Sequence, residues 1–334
     1  MKRAASLFVP LLFANLLAWL WAFVAFGGDG VLMGTAFLAY CLGLRHAVDA
    51  DHITAIDNVT RKLMNEGQRP LTTGLYFSLG HASVVWLASL GIVLGIGLGA
   101  ASLARHITLI SAFGGALGTW VSALFLFGIA GANLLVLKGV MAAVRRHKSG
   151  ETPDEDALAC LLGRRGFYSR LFAPVFRLTA KSRHMYAVGF LFGLGFDTAT
   201  EIGVLAISAA ASAHGLPLLS ILVFPALFTA GMALIDTLDS ALMVGAYGWA
   251  FVDPGRKLYY NLTVTFFSVV VALLVGGIEV VGFLGARLHP GGLVRALIEA
   301  ANVRLGMLGF AVIAMFALTW LVAVLSARLR QARR

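Results

Sequence analysis

Long apolar stretches recur along most of the chain, and short segments rich in basic residues separate them. A helix crosses a bilayer when about 20 mostly apolar residues follow one another. Of the 334 residues, 59% are hydrophobic and 13% are charged, whereas about a quarter of the residues of a soluble domain are charged. Because lipid cannot satisfy backbone polar groups, such stretches are expected to form helices. The sequence therefore predicts an all-α polytopic membrane protein.

The apolar stretches predict about eight transmembrane helices. The first stretch is longer than the apolar core of a signal peptide, so we expect it to be a retained helix. A basic cytoplasmic loop at 145–184 separates an N-terminal half, 1–144, with helices one to four, from a C-terminal half, 185–334, with helices five to eight. The predicted helices lie at 7–26, 33–60, 72–101, 108–144, 185–213, 216–250, 257–286 and 303–327.

The basic residues indicate how the helices are oriented. If the N-terminus is cytoplasmic, 20 Lys and Arg side chains lie on the cytoplasmic side and four on the other side. Because cytoplasmic loops are enriched in Lys and Arg, both termini are expected in the cytoplasm, with the protein embedded in the lipid bilayer of the inner, cytoplasmic membrane. This distribution accounts for the net charge of +10, so nucleic acid is not an expected partner. The spacing of Cys41 and Cys160 suits neither a disulfide framework nor a thiolate metal site.

The second predicted helix carries six ionisable side chains between residues 45 and 57. On a continuous helix with about 100° per residue, both histidines of this segment share a face with two of its aspartates, whereas Asp51 points away. The four side chains expected to share that face are His46, Asp49, His52 and Asp57.

Other apolar stretches contain His81, Asp197 and Glu201, Asp236 and Asp239, and Glu279. The pairs in the fifth and sixth predicted helices are spaced so that both members lie on one face. A charge at the middle of a bilayer costs roughly 2.5 to 3.5 kcal/mol on insertion scales. These carboxyl groups are therefore expected to be protonated, paired, hydrated or bound to a cation.

The mixture of imidazole and carboxylate groups indicates the kind of cation. Such donors suit borderline first-row metals such as nickel, cobalt, zinc and iron, whereas magnesium and calcium prefer oxygen donors and copper(I) prefers sulfur. The candidate metal residues are His46, Asp49, Asp51, His52, Asp57, His81, Asp197, Glu201, Asp236 and Asp239.

Three of the ionisable residues also have ordinary structural interpretations. His81 alone would fit a hydrogen-bonded core histidine, although the neighbouring Gly80 permits close helix approach. Asp57 has the spacing to pair with Arg61 one turn later. Glu279 would serve equally well in helix pairing, and these alternatives stay open.

Residues 45–53, RHAVDADHI, resemble the signature of the nickel/cobalt transporter family, NiCoT. Further segments resemble other motifs of that family in the expected order. They are FSLGH at 77–81, LGFDTATE at 194–201 and GMALIDTLD at 231–239. Two positions depart from the expected pattern: Ala82 replaces a small hydroxyl residue after His81, and Ser240 replaces a glycine after Asp239.

The resemblance implies an eight-helix permease that imports Ni²⁺ or Co²⁺ at high affinity, with cytoplasmic termini and a large loop between helices four and five. It also implies that the second predicted helix carries the residues critical for transport, with Asp57 in the same motif. The critical set would be His46, Asp49, Asp51 and His52. The metal is then the transported substrate, and no catalytic cofactor is expected.

Motif residues fall in helices two and three of the first half and in helices five and six of the second half. An offset of three helices reverses orientation, so we expect inverted repeats with the metal site near the midplane. The sequence has no Walker motif GxxxxGK[ST], which favours a secondary permease driven by the membrane potential. Coupling to protons on the acidic groups stays open. An efflux permease is an alternative, and so is an intramembrane metalloenzyme, although HExxH is absent. Whether the protein is a monomer or a homo-oligomer stays open.

Overall fold

The computed structural model of the protein describes residues 2–97, 101–148, 179–195, 199–250, 252, 254–288 and 291–332. These parts of the chain contain helices and no strand. A 3₁₀ turn at Ser182–His184 precedes α6. The α-helices are α1 Lys2–Phe26, α2 Gly30–His46, α3 Ala50–Asn65, α4 Thr73–Gly97, α5 Ala101–Lys148, α6 Met185–Gly193, α7 Ala199–Ala213, α8 Leu218–Ile221, α9 Val223–Ala250, α10 Pro254–Leu288 and α11 Gly292–Ala332.

Six of the described helical segments are long and apolar enough to cross a membrane, and a seventh span results if α2 and α3 together form one broken span. The chain is therefore an all-α polytopic membrane protein, as predicted. The predicted fifth helix is divided into α6, with 9 residues, and α7, with 15 residues. Each is shorter than the roughly 20 residues that a span requires. The loop residues 149–178 lie outside the described part of the chain.

The second predicted helix, 33–60, is also divided, and here the prediction of one continuous helix is wrong. The helical path ends at His46, and the next helix begins at Ala50. Between them Asp49 adopts an extended backbone conformation, with φ −67° and ψ 145°. The prediction that His46 shares one helix face with Asp49, His52 and Asp57 assumed a continuous helix, so it does not hold across this break.

Contacts within the chain group into two compact units. The first contains Met1–Val48, Leu71–Ser122 and Ser182–Asp239, and the second contains Asp49–Pro70, Ala123–Lys181 and Ser240–Arg334. The core of the first unit combines small and aromatic side chains, among them the stacked rings of Phe26 and Phe224, whose centroids are 5.3 Å apart. Since lipid provides no hydrophobic drive between helices, close packing of this kind holds them together.

Glycines allow α4 and α6 to cross in direct backbone contact. A Cβ atom on Gly80 would overlap the carbonyl oxygen of Tyr186, and one on Gly189 would overlap the carbonyl oxygen of Phe77. The contact is therefore reciprocal: the glycine of each helix lies against a backbone carbonyl of the other helix. In both cases that carbonyl belongs to the residue three positions before the other helix's glycine. Small residues at these positions permit the close approach of α4 and α6.

The helices α2 and α9 cross in the same reciprocal way. A Cβ atom on Gly43 would overlap the carbonyl oxygen of Phe228, and one on Gly231 would lie 2.7 Å from the carbonyl oxygen of Tyr40. The spacing of three residues between the aromatic residue and the glycine is the same as in the first crossing. The first unit thus contains two helix crossings of identical construction.

Gly80→Ala is expected to destabilise the protein by about 1–3 kcal/mol, because the added methyl group forces two packed backbones apart. Gly91→Ala is the matched control, since Gly91 lies in the same helix and a Cβ atom there meets nothing within 4 Å. Unfolding of both variants in mixed detergent micelles measures the difference. Equal free energies of unfolding for the two variants would contradict the described crossing.

Candidate metal centre

The first unit brings two of the predicted histidines into direct contact. His46 lies in the last turn of α2, which Asp29 caps at its other end by accepting hydrogen bonds from Val31 N and Leu32 N. His81 lies on α4, and its Nε2 is 2.9 Å from Nε2 of His46. Only 1% of His46 and 2% of His81 is exposed, so both imidazoles are withdrawn from solvent.

A glutamate completes this cluster. Oε1 of Glu201 lies 2.7 Å from His81 Nε2, and Glu201 is 1% exposed. Glu201 belongs to the first turn of α7. Because the N-terminus of a helix carries partial positive charge, this position stabilises an ionised carboxylate. The neighbouring residue, Thr200, places its Oγ1 3.0 Å from Nδ1 of His46.

A second carboxylate of the first unit is held through α4. Ser78, one turn before His81, donates a hydrogen bond of 2.7 Å to Oδ2 of Asp236 on α9. Asp236 is 1% exposed, and Asp239, one turn further along α9, is partly buried. Of the two predicted carboxylates of α9, Asp236 is therefore buried and Asp239 partly buried, and a role for either in metal binding stays a prediction.

The remaining candidates from the signature belong to the second unit. Asp49 immediately precedes α3, and its backbone carbonyl accepts the N–H of Ile53 at 3.2 Å. Asp51 is partly buried in the first turn of α3, and His52 is fully buried. Asp197 lies outside the described residues.

Asp57 is surrounded by hydroxyl donors in the second unit. Its Oδ1 accepts a hydrogen bond of 3.0 Å from the hydroxyl of Tyr247, and its Oδ2 accepts one of 3.2 Å from Ser268. These contacts join α3 to α9 and α10 around a carboxylate that is 0% exposed. A ligand role for Asp57 stays a prediction, because these contacts satisfy the carboxylate in a structural role as well.

Arg61, one turn after Asp57, extends this polar network. Its guanidinium donates to Thr265 Oγ1 at 2.6 Å and to Asn58 Oδ1 at 3.0 Å. Asn58 also accepts a hydrogen bond from the side chain of Asn133. The network satisfies several polar groups that would otherwise be costly to bury in an apolar environment.

The sequence marked the two histidines, Glu201 and Asp236 as candidates but not the hydroxyl groups beside them: Thr200 contacts His46, and Ser78 donates to Asp236. Ser78 precedes His81 by three residues, a spacing that places both on one helix face. Thr200 directly precedes Glu201 in the segment that resembles a family motif. Their positions near candidate residues were the only sequence signal for Ser78 and Thr200. Nothing in the sequence around Tyr247 or Ser268 indicates that they contact Asp57.

His81 Nε2 lies within contact distance of both His46 Nε2 and Glu201 Oε1, so the cluster of His46, His81 and Glu201 offers two ring nitrogens and a carboxylate oxygen in consecutive contact. Two imidazoles and one carboxylate suit nickel, cobalt, zinc or iron as divalent ions. Because the cluster is buried, an ion that enters must exchange much of its hydration shell for these donors. The arrangement is therefore chemically competent to bind a dehydrated divalent metal ion.

The profile of the NicO family, described as "High-affinity nickel-transport protein", matches residues 32–326. The chain belongs to this family. The match agrees with the resemblance to nickel/cobalt transporters seen in the signature motifs. Members of the family are transport proteins rather than enzymes.

Three relatives illustrate how closely the chain follows the family. It is 52% identical to the high-affinity nickel transport protein of Cupriavidus necator over 97% of this chain and 92% of the relative. It is 53% identical to the hydrogenase nickel incorporation protein HupN of Bradyrhizobium diazoefficiens over 96% and 83% of the two chains. The cobalt transport protein NhlF of Rhodococcus rhodochrous is 39% identical over 91% of this chain and 85% of its own length. No solved structure matches the chain.

Tyr247→Phe is expected to reduce the free energy of unfolding by about 1.5–3 kcal/mol, because it removes a hydrogen bond to a buried carboxylate. Tyr259→Phe is the control, since Tyr259 is 38% exposed. Unfolding of the purified variants in mixed detergent micelles measures both values. A loss for Tyr259→Phe as large as that for Tyr247→Phe would contradict the described network.

Proposed function

We propose that this protein is a secondary permease that imports Ni²⁺, Co²⁺ or both across the cytoplasmic membrane. The observation that carries the proposal is that buried His81 contacts both His46 and Glu201 in a member of a nickel-transport family. Curated relatives are named as nickel transporters, and one is named as a cobalt transporter. Both ions accept a donor set of two imidazoles and one carboxylate.

We include the remaining candidate residues in the proposal because they lie in segments that resemble the family's motifs. Asp49, Asp51 and His52 share the nine-residue signature with His46, and the other candidates occupy further motif positions. Those candidates are Asp57, Asp197, Asp236 and Asp239. We propose that they take part in binding or passing the ion, either as ligands or by orienting ligands.

An inverted repeat is consistent with the two helix crossings of the first unit. The pattern Tyr-x-x-Gly occurs at residues 40–43 and again at 186–189, and Phe-x-x-Gly occurs at 77–80 and again at 228–231. Each Tyr-x-x-Gly segment crosses the Phe-x-x-Gly segment of the other half of the chain. A two-fold relation between repeats would generate this exchange, as in many secondary transporters. We propose that both termini are cytoplasmic, as the basic residues predict.

The membrane potential is the proposed driving force, since moving one charge across 100 mV is worth roughly 2.3 kcal/mol and the ion carries two charges. In proteoliposomes, uptake that stops at zero voltage and is insensitive to a pH gradient would agree with this drive. Uptake that continues at zero voltage and follows the pH gradient would contradict it. Outward pumping under the same conditions would instead favour the efflux alternative.

His46→Ala and His81→Ala are each expected to lower the uptake of radiolabelled Ni²⁺ and Co²⁺ by more than about tenfold, because loss of even an outer-shell partner costs 10- to 100-fold in metal affinity. His214→Ala is the control, since His214 lies exposed beyond the end of α7. Cells that express equal amounts of each protein provide the measurement. Normal uptake by both site variants would contradict the proposed site.

A further inference from the structure

Thr200 contacts the metal centre from the side opposite to the paired ring nitrogens. Its Oγ1 lies 3.0 Å from Nδ1 of His46, while Nε2 of the same ring faces His81 at 2.9 Å. In a neutral imidazole one nitrogen carries a proton and the other carries a lone pair. The group that binds Nδ1 therefore decides whether Nε2 is available as a metal donor.

The hydrogen bonds of the cluster determine which nitrogen of His46 carries the proton. A carboxylate only accepts, so in the metal-free protein the contact of 2.7 Å between Glu201 and His81 Nε2 places a proton on that nitrogen. His46 Nε2 faces the same N–H group and must present its lone pair, because two N–H groups would repel each other. The proton of neutral His46 then lies on Nδ1 and is donated to Thr200 Oγ1. When the ion binds His81 Nε2, the proton on that nitrogen is released or shifts to Nδ1 of the same ring.

We propose that Thr200 is a positioning residue for metal binding: its hydroxyl oxygen accepts the Nδ1 proton of His46 and keeps the Nε2 lone pair directed at the ion. This assignment rests on the proposed function of the site as a nickel or cobalt centre. Both helices are well placed for the role, since His46 ends α2, Thr200 begins α7, and the two helices pack against each other.

A valine at position 200 would keep the shape of the side chain but remove its acceptor. The Nδ1–H group of His46 would lose its partner, and the ring could move its proton to Nε2, where the proton blocks metal binding. Loss of such a partner typically lowers metal affinity by roughly 10- to 100-fold. A serine would retain the acceptor oxygen and is therefore expected to restore affinity.

The experiment measures binding of Ni²⁺ and of Co²⁺ by calorimetry, and uptake of both ions into proteoliposomes, for four purified proteins. They are the wild type, Thr200→Val, Thr200→Ser and the matched control Ser208→Ala. Ser208 lies two turns further along the same helix, and its hydroxyl bonds to the backbone carbonyl of Val204 at 3.0 Å. Thr200→Val is expected to raise the Kd and the KM of uptake by about tenfold or more, whereas the serine variant and the control stay close to the wild type.

A wild-type Kd for Thr200→Val would overturn the inference, as would an equal loss in Thr200→Ser, because the acceptor oxygen would then not be the cause. A wild type that neither binds nor transports Ni²⁺ or Co²⁺ would overturn the proposed function and this assignment with it. Wild-type uptake with an unaffected valine variant would overturn the assignment alone.

A measurement on the wild type covers the case in which the valine variant does not fold. Nitrogen NMR of metal-free protein labelled with ¹⁵N at histidine distinguishes a protonated ring nitrogen from one with a lone pair, and the His46→Ala variant assigns the signals. A proton on Nδ1 of His46 is the expected result. A proton on Nε2 would overturn the inference.

Discussion

Burial of an imidazole against a carboxylate inside a membrane is the interaction on which the first unit depends. Glu201 and His81 are almost completely removed from solvent, and each lowers the cost of burying the other. The N-terminal position of Glu201 in α7 adds favourable electrostatics from the helix dipole. Removing either partner would take away a main source of compensation for burying the other, and breaking a buried pair typically costs about 3–5 kcal/mol.

The polar cluster also constrains how closely the helices must approach. An imidazole is short, so His46 and His81 can meet only if their backbones lie near each other and near α7. Gly80 directly precedes His81, and Gly43 lies one turn before His46. The glycines that permit close crossings are thus placed beside the two paired histidines. In this unit, the same short segments therefore contain both the glycines that allow close helix packing and the histidines of the polar cluster.

Much of the helical architecture could be predicted from apolar length alone. The end of α1 at Phe26 and the start of α4 at Thr73 lie within a residue of the predicted limits. The break before Ala50 was not predictable from propensity, because no glycine or proline interrupts residues 44–57. It depends on the extended backbone of Asp49, a conformation that many sequences adopt only in their tertiary context.

The candidate site was predictable in its residue types but not in its contacts. A histidine or acid inside an apolar stretch is conspicuous, so His46, His81 and Glu201 were identified from the sequence. Their pairing was not, since Glu201 follows His81 by 120 positions and only the tertiary structure joins them. Hydroxyl residues such as Ser78 and Thr200 are common in helices, and nothing in their immediate sequence reveals which side chain they hold.

X-ray absorption spectroscopy of the Ni²⁺-loaded protein tests most directly whether the ion binds to the paired histidines. If the paired histidines bind the ion, the spectrum will show the multiple-scattering signal of imidazole ligands around nickel, with a weaker signal in His46→Ala and in His81→Ala and an unchanged one in His214→Ala. A spectrum of oxygen ligands only, or one that neither site substitution alters, would contradict binding at the paired histidines.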